Sequence, residues 1–229
     1  MKRLVLYSII GLMAIIFTSC ATSTYTRGNQ YPKMYSEKPV TVLVMPPINN
    51  TNHVEAKELL YTSITRPLAE AGYYVIPPFL TMEVLRAESA YDAELFIEGK
   101  LDKFRHFFGA DAIVFSVIDV WEKQGFGINT KIHYIIKSAK TNEIIFDRSC
   151  DLYLDLSVNT SSSSNNSWAK ILSDVAASAI NTALTDHIKA ARKTNEYIFM
   201  DIPRGPYRQE YLNDMDEPAD KKDIKKTVK

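Results

Sequence analysis

Two apolar runs limit what this chain can fold into more than any other feature. Val40-Thr41-Val42-Leu43-Val44-Met45 is β-branched and nearly continuous, and Pro46-Pro47 stops it. Ala112 to Trp121 (AIVFSVIDVW) is longer and is the most apolar stretch beyond the first twenty residues. A strand with one wet face alternates polar and apolar residues. A strand that does not alternate is buried on both faces, which requires helices on either side of its sheet.

Between these runs the periodicity changes. Asn49-Asn50-Thr51-Asn52 are turn formers, so Ile48 to Val54 reads as a loop. Glu55 to Ala71 carries Leu60, Ile64 and Leu68 at four-residue spacing, one face of a helix that Pro67 should kink or restart. Gly72 stands where a helix end wants positive φ. Tyr73 to Ile76 is a second strand, and Phe79–Glu88 and Ala93–Phe104 are helical. From Ile128 to Leu156 alternation returns (Ile132, Tyr134, Ile136) around a turn at Lys140-Thr141-Asn142, which predicts a β-hairpin with one wet face. Ser157 to Ser167 is a Ser/Asn-rich loop, Trp168 to Arg192 a helix, and Asn195 to Tyr207 extended with turn signals at Pro203, Gly205 and Pro206. The fold class that follows is α/β: a single three-layer domain whose mixed sheet, parallel strands plus a C-terminal β-hairpin, is flanked by helices. It spans residues 40–208, between a polar stretch 20–39 that reads as a flexible tether and a charged tail 209–229 that reads as disordered.

The first nineteen residues are of another kind. Lys2 and Arg3 precede an apolar stretch from Leu4 to Phe17. It is shorter than the roughly 20 residues that span a bilayer but suits a secretory signal. Phe17-Thr18-Ser19-Cys20 then resembles a bacterial lipobox, with Phe17 a less usual first residue. On that reading residues 1–19 are removed, Cys20 is lipidated, and the body is tethered to a membrane by acyl chains. An ordinary signal peptide or a short anchor helix are the alternatives. Ala21 and Thr22, rather than an acidic residue, follow the cysteine, which favours the outer membrane and leaves the periplasmic or surface face open.

The rest of the composition fits an exported globular body. Without the leader the chain has 25 basic against 27 acidic residues, so no basic surplus points to nucleic acid. With Cys20 acylated, Cys150 is alone and no intrachain disulfide can form, so the packed core must carry stability.

Four segments, Val44 to Thr51 (VMPPINNT), Ala71 to Pro77 (AGYYVIP), Gly109 to Trp121 (GADAIVFSVIDVW) and Gly205-Pro206-Tyr207, together resemble a family of bacterial lipoproteins of unknown function, one member of which is known as a surface antigen (domain of unknown function 799). The resemblance covers most of residues 20–210. It implies an α/β fold similar to the amino-terminal domain of the Tol–Pal propeller protein and to the periplasmic part of the curli-export lipoprotein. It further implies a part in an envelope assembly or transport complex beside curli-export-like lipoproteins. No catalytic residues come with it.

A search for chemistry agrees. His53, His106, His133 and His187 are scattered, and no pair has the i, i+4 spacing of a helical zinc site, so no metal or other cofactor is expected. There is no phosphate-cradling glycine loop and no Gly-x-Ser-x-Gly elbow. Asp111 and Asp119 lie on one strand, about 26 Å apart at roughly 3.3 Å per residue, and cannot share a reacting bond. Exposed aromatics are the better candidates. Tyr25, Tyr31 and Tyr35 in the tether suit a partner interface, or simply sit near lipid headgroups. Tyr197, Phe199 and Tyr207 belong to a strap that docks on the domain itself or on a partner.

Two functions are therefore weighed. One is a non-enzymatic, lipid-anchored component of an envelope complex, with a homo-oligomer left open. The other is a small-ligand binder or enzyme with a crevice at the carboxyl ends of the strands, its polar groups Asn49 and Glu122. A pore subunit is disfavoured, because the hairpin carries Lys131, Lys137, Lys140, Glu143, Asp147 and Arg148.

Overall fold

The computed structural model describes residues 25–157 and 185–229; the leader, Cys20, the Ser/Asn-rich segment 158–167 and the start of the helix expected from Trp168 lie outside them. Seven strands form one mixed sheet: β1 (Thr41–Val44), β2 (Ile48–Asn49), β3 (Tyr74–Val75), β4 (Ala112–Gln124), β5 (Gly127–Ser138), β6 (Ile144–Asp155) and β7 (Asp223–Val228). Their order is β3-β1-β4-β5-β6-β7, with β2 pairing β4, so the sheet is open and not a barrel. β1 runs parallel to β3 and β4, β2 to β4 and β7 to β6, while β4–β5 and β5–β6 are antiparallel. The expected parallel start and later hairpin are both present.

The helices are α1 (Arg27–Gln30), α2 (Pro32–Glu37), α3 (Glu55–Glu70), α4 (Pro78–Ala87), α5 (Glu94–Ile97), α6 (Asp102–Phe108) and α7 (185–199). The non-alternating strands divide their side chains between two cores. Val42, Val44, Ala112 and Val114 share a core with Tyr31, α2, α3 and α7, where Leu60, Ile64 and Leu68 are fully buried. Leu43, Met45, Ile113 and Phe115 pack under α4, α5 and α6 through Leu85, Phe96 and Phe104. Each fully buried aliphatic side chain contributes about 1.5–3 kcal/mol, which explains why α3 continues through Pro67 despite the missing amide. On β5 and β6 the alternation leaves a half-exposed second face with His133, Asp147 and Asp151. Asp111 accepts from the amides of Val40 and Thr41 at 3.0 and 2.9 Å and so starts β1 beside β4. Asn142 takes the left-handed conformation expected at its turn, φ 63°.

Four expectations are corrected. Residues 26–37 are not a tether: Thr26 caps α1, Pro32 opens α2, and Tyr31 and Tyr35 are buried. The Tyr31 ring stacks on Phe146 with centroids 4.9 Å apart, and buried Arg27 pairs with Asp214 at 2.8 Å. The charged tail is not disordered either. It forms β7, with Ile224 buried and Lys222, Lys225 and Lys229 facing Asp147, Asp151 and Asp155 on β6 at 2.6, 3.5 and 3.9 Å. Finally, 195–199 is not extended but continues α7, and β2 occupies the start of the expected loop.

Beyond α7 the strap does dock on its own domain. Gly72 has φ +96°, and a Cβ there would lie 2.5 Å from the Arg208 side chain and 2.9 Å from the Gly205 carbonyl. The Gly205 amide donates to the Ala71 carbonyl at 2.8 Å, and the Tyr73 hydroxyl donates to the Pro203 carbonyl at 2.6 Å.

The pair that closes this layer is Arg148 of β6 with Asp201, both buried and joined by two parallel hydrogen bonds. Asp201→Ala leaves the guanidinium unpaired and should lower unfolding free energy in urea by about 3–5 kcal/mol, whereas Arg148→Met combined with Asp201→Leu should recover much of it. For β7, Ile224→Ala should cost about 2 kcal/mol or more, while Lys225→Ala should leave the urea midpoint unchanged within error.

Candidate functional site

Past the carboxyl end of β2 and alongside the second half of β4 lies a cleft of about 290 Å³ lined by Asn50 to His53 and by Asp119 to Glu122. Its volume is at the lower limit for small-molecule sites, roughly 300–1,000 Å³. The β4–β5 register shifts between Ile118 and Val120, and this bulge sets Asp119 apart from the regular ladder. The Asn50 amide donates to Asp119 Oδ1 at 3.3 Å.

The two residues expected here play different parts. Glu122 lines the cleft. Asn49 instead shapes the loop: its Nδ2 donates to the His53 carbonyl at 2.8 Å, and its Oδ1 accepts from the Thr51 amide and hydroxyl at 3.1 and 2.8 Å. The sequence reading missed Asn50, His53, Asp119, Trp121 and His187. Only the position of Asn50 and His53 in a polar loop following a strand could have pointed to them.

Below the cleft, the Trp121 indole N–H donates to His187 Nδ1 at 2.9 Å, with the two rings stacked at 15°. The His53 ring lies 5.9 Å from that of His187, and its Nδ1 is 3.9 Å from a Glu55 carboxylate oxygen. Burial, and next the neighbouring His53, lower the His187 pKa, so the imidazole is held neutral as an acceptor. Among the described residues no three His, Cys, Asp or Glu side chains are grouped to hold a metal ion. The arrangement can hydrogen-bond a small polar molecule through Asn50, Asp119 and Glu122, but it presents no nucleophile beside a base.

The aromatic candidates divide sharply. Tyr31, Tyr35 and Phe199 belong to the core. The Tyr35 hydroxyl donates to Asp214 at 3.1 Å, and burial raises both phenols well above their ordinary range. The Phe199 ring sits 5.0 Å from Tyr134 and 5.9 Å from Phe146. These three are therefore corrected from interface to packing residues, because apolar area that the sequence left unassigned is buried by α1, α2 and α7. Tyr197 is half-buried, and Tyr25 and Tyr207 stay 40% and 68% exposed. Cys150 is buried, and burial pushes its thiol up to about 12, which keeps it protonated. A second apolar surface went unanticipated: Phe79 (79% exposed), Leu80, Leu95 and Phe107 (65% exposed) project from α4, α5 and α6.

The burial of His187, with His53 beside it, sets a pH dependence. Above the ordinary histidine value of 6.5 neither the folded nor the unfolded chain holds a proton here, and the contribution is complete. As pH falls below 6.5 the unfolded chain takes up the proton first, so stability drops until pH has passed the lowered folded-state value. Urea unfolding between pH 7.5 and 5 should show this loss, and His187→Phe should flatten that part of the profile.

Comparison with known proteins places the chain. The family model described as "Putative lipoprotein GNA1162-like" matches residues 29–197. A curated relative, "Putative lipoprotein NMB1124/NMB1162" of Neisseria meningitidis serogroup B, is 26% identical over 192 residues, which is 82% of this chain and 87% of that protein. Among solved structures, lipoprotein GNA1162 from Neisseria meningitidis is similar with a TM-score of 0.46 at 21% identity, covering 64% of this chain and 97% of that one. The LpoB C-terminal domain from Escherichia coli is similar with a TM-score of 0.33 at 15% identity, covering 55% and 96%. With nearly three quarters of its length matched, from α1 into α7, the chain belongs to the GNA1162-like family of lipoproteins.

Proposed function

We propose that this protein is held at the outer membrane through acylated Cys20 and that its α/β body acts by binding other envelope proteins rather than by catalysis. The observation that carries the reading is the order Phe17-Thr18-Ser19-Cys20 a few residues ahead of a folded body. Among the described residues no helix is long and apolar enough to cross a membrane. One acyl chain binds reversibly at about 0.8 kcal/mol per buried methylene, and a second signal makes attachment stable, as a multiply acylated cysteine would provide. Within the body, the buried charges of Arg27, Asp214, Arg148 and Asp201 are committed to joining chain segments. The partners this reading favours are curli-export-like lipoproteins or further copies of the chain.

Growth with an alkyne analogue of palmitate should label the protein and leave it in the membrane fraction, and Cys20→Ser should abolish both. Label that survives the substitution would remove the anchor. Crosslinking in intact cells should trap heteromeric products, and recovery of monomer alone would count against the binding role.

The second reading, a small-ligand site, is favoured by one observation: Asn50, Asp119 and Glu122 converge on an open cleft. A saturable thermal shift with a polar small molecule, lost in Asp119→Asn, would move the assignment there.

A further inference from the structure

The amino-terminal segment is stitched to one strip of the surface. The Ala219 amide donates to the Tyr25 carbonyl at 2.9 Å, the Arg27 amide to Glu217 at 3.0 Å, and the Gly28 amide to Met215 at 2.9 Å. The Arg27 guanidinium adds ion pairs to Asp214 and Glu217 at 2.8 and 2.9 Å. The approach is close: a Cβ at Gly28 would lie 3.2 Å from the Met215 carbonyl oxygen. Tyr25 is therefore a fixed point of the body rather than part of a tether.

From Cys20 to Tyr25 is five residue steps, which span at most about 18 Å at roughly 3.6 Å per residue. A domain of about 200 residues has a radius of gyration of roughly 16–17 Å, hence a width above about 40 Å. The leash is thus shorter than half the body. We infer that the strip around Tyr25, Asn29, Met215, Asp216 and Pro218 lies against the bilayer surface, and that α5 and α6 face away from it. This rests on acylation at Cys20.

Topology supports the second half. Tyr31 and Met34 of the amino-terminal segment pack on one face of the sheet, Phe96 of α5 and Phe104 of α6 pack on the other, and α4 straddles both through Met82 and Leu85. The exposed Leu95 of α5 and Phe107 of α6 therefore lie on the side of the sheet opposite the leash. The strip itself presents Tyr25 and Met215, both exposed, and tyrosine is at home where one end is apolar and the other wet. Charge does not hold it down. Nearby Lys33 and Lys222 face Glu143 and Asp147 at 3.4 and 2.6 Å, and Asp216 and Glu217 lie in the strip. The apposition is accordingly independent of anionic lipid.

The test uses native, acylated protein reconstituted into vesicles of phosphatidylethanolamine and phosphatidylglycerol carrying a nitroxide on some headgroups. Single cysteines at Asp216→Cys, Asn29→Cys and Phe107→Cys take a bimane label, and buried Cys150 is spared. Quenching at positions 216 and 29 should exceed that at 107 several-fold, with or without phosphatidylglycerol. Twenty Gly/Ser residues inserted between Thr24 and Tyr25, about 25 Å in root-mean-square length, should erase the difference while the protein still floats with the vesicles. Equal quenching at all three sites in protein that floats would overturn the inference, as would stronger quenching at 107 than at 216 and 29. Native protein that does not float at all would instead overturn the anchor, and this orientation with it.

Discussion

One fully buried guanidinium holds four parts of the chain together. Arg148, in the middle of β6, donates to Asp201, to the Ile198 carbonyl at the end of α7 at 3.1 Å, and to the carbonyls of Asp220 and Lys221 before β7 at 2.9 and 3.2 Å. Its charge also lies 5.7 Å from the Tyr31 ring of the amino-terminal segment. Taking such a group out of water costs several kcal/mol, and only a near-complete set of acceptors offsets that. The geometry therefore admits one arrangement of the segments around it. Asp214, receiving Arg27, the Tyr35 hydroxyl and the Arg204 amide at 2.8, 3.1 and 2.8 Å, does the same for the other end of the layer.

With that layer fixed, the sheet acquires two unlike halves. The parallel half is covered on both faces. Among the described residues the antiparallel half is covered on one, and its other face carries ion pairs. The loop after β2 and the second half of β4 make the polar cleft, while the helices of the second core leave aromatic side chains in water. Recognition chemistry is thus available at two separated places, and Trp121 with His187 stiffens the first of them.

What the sequence disclosed and what it concealed follow from the range of the forces involved. Val40 to Met45, Ala112 to Trp121, the Leu60/Ile64/Leu68 stripe and the turn at Asn142 are local patterns, each meaningful within about a dozen residues. The short helices 27–37 and strand β7 have no such pattern. Each carries only two or three apolar residues, and what orders them lies far away in sequence: Arg27 meets Asp214, while β7 pairs along β6 and buries Ile224. Read alone, both segments look like solvated chain. The cleft was half legible for the same reason: Glu122 follows a recognisable strand, but His187 reaches it from 66 positions away. Tyr31, Tyr35 and Phe199 were assigned to the surface because their burial depends on segments whose folding was itself hidden.

The stitching of α1 to residues 214–219 also governs when the molecule can be finished. Arg27 and Asp214 are 187 positions apart, and contacts that distant form late because loop closure must precede them. A polypeptide is made from its amino end, so Phe146 is in place for Tyr31 well before residues 214–219, the partners of α1, arrive. Until they do, the amides of Arg27 and Gly28 lack the Glu217 and Met215 carbonyls that fix α1 in place.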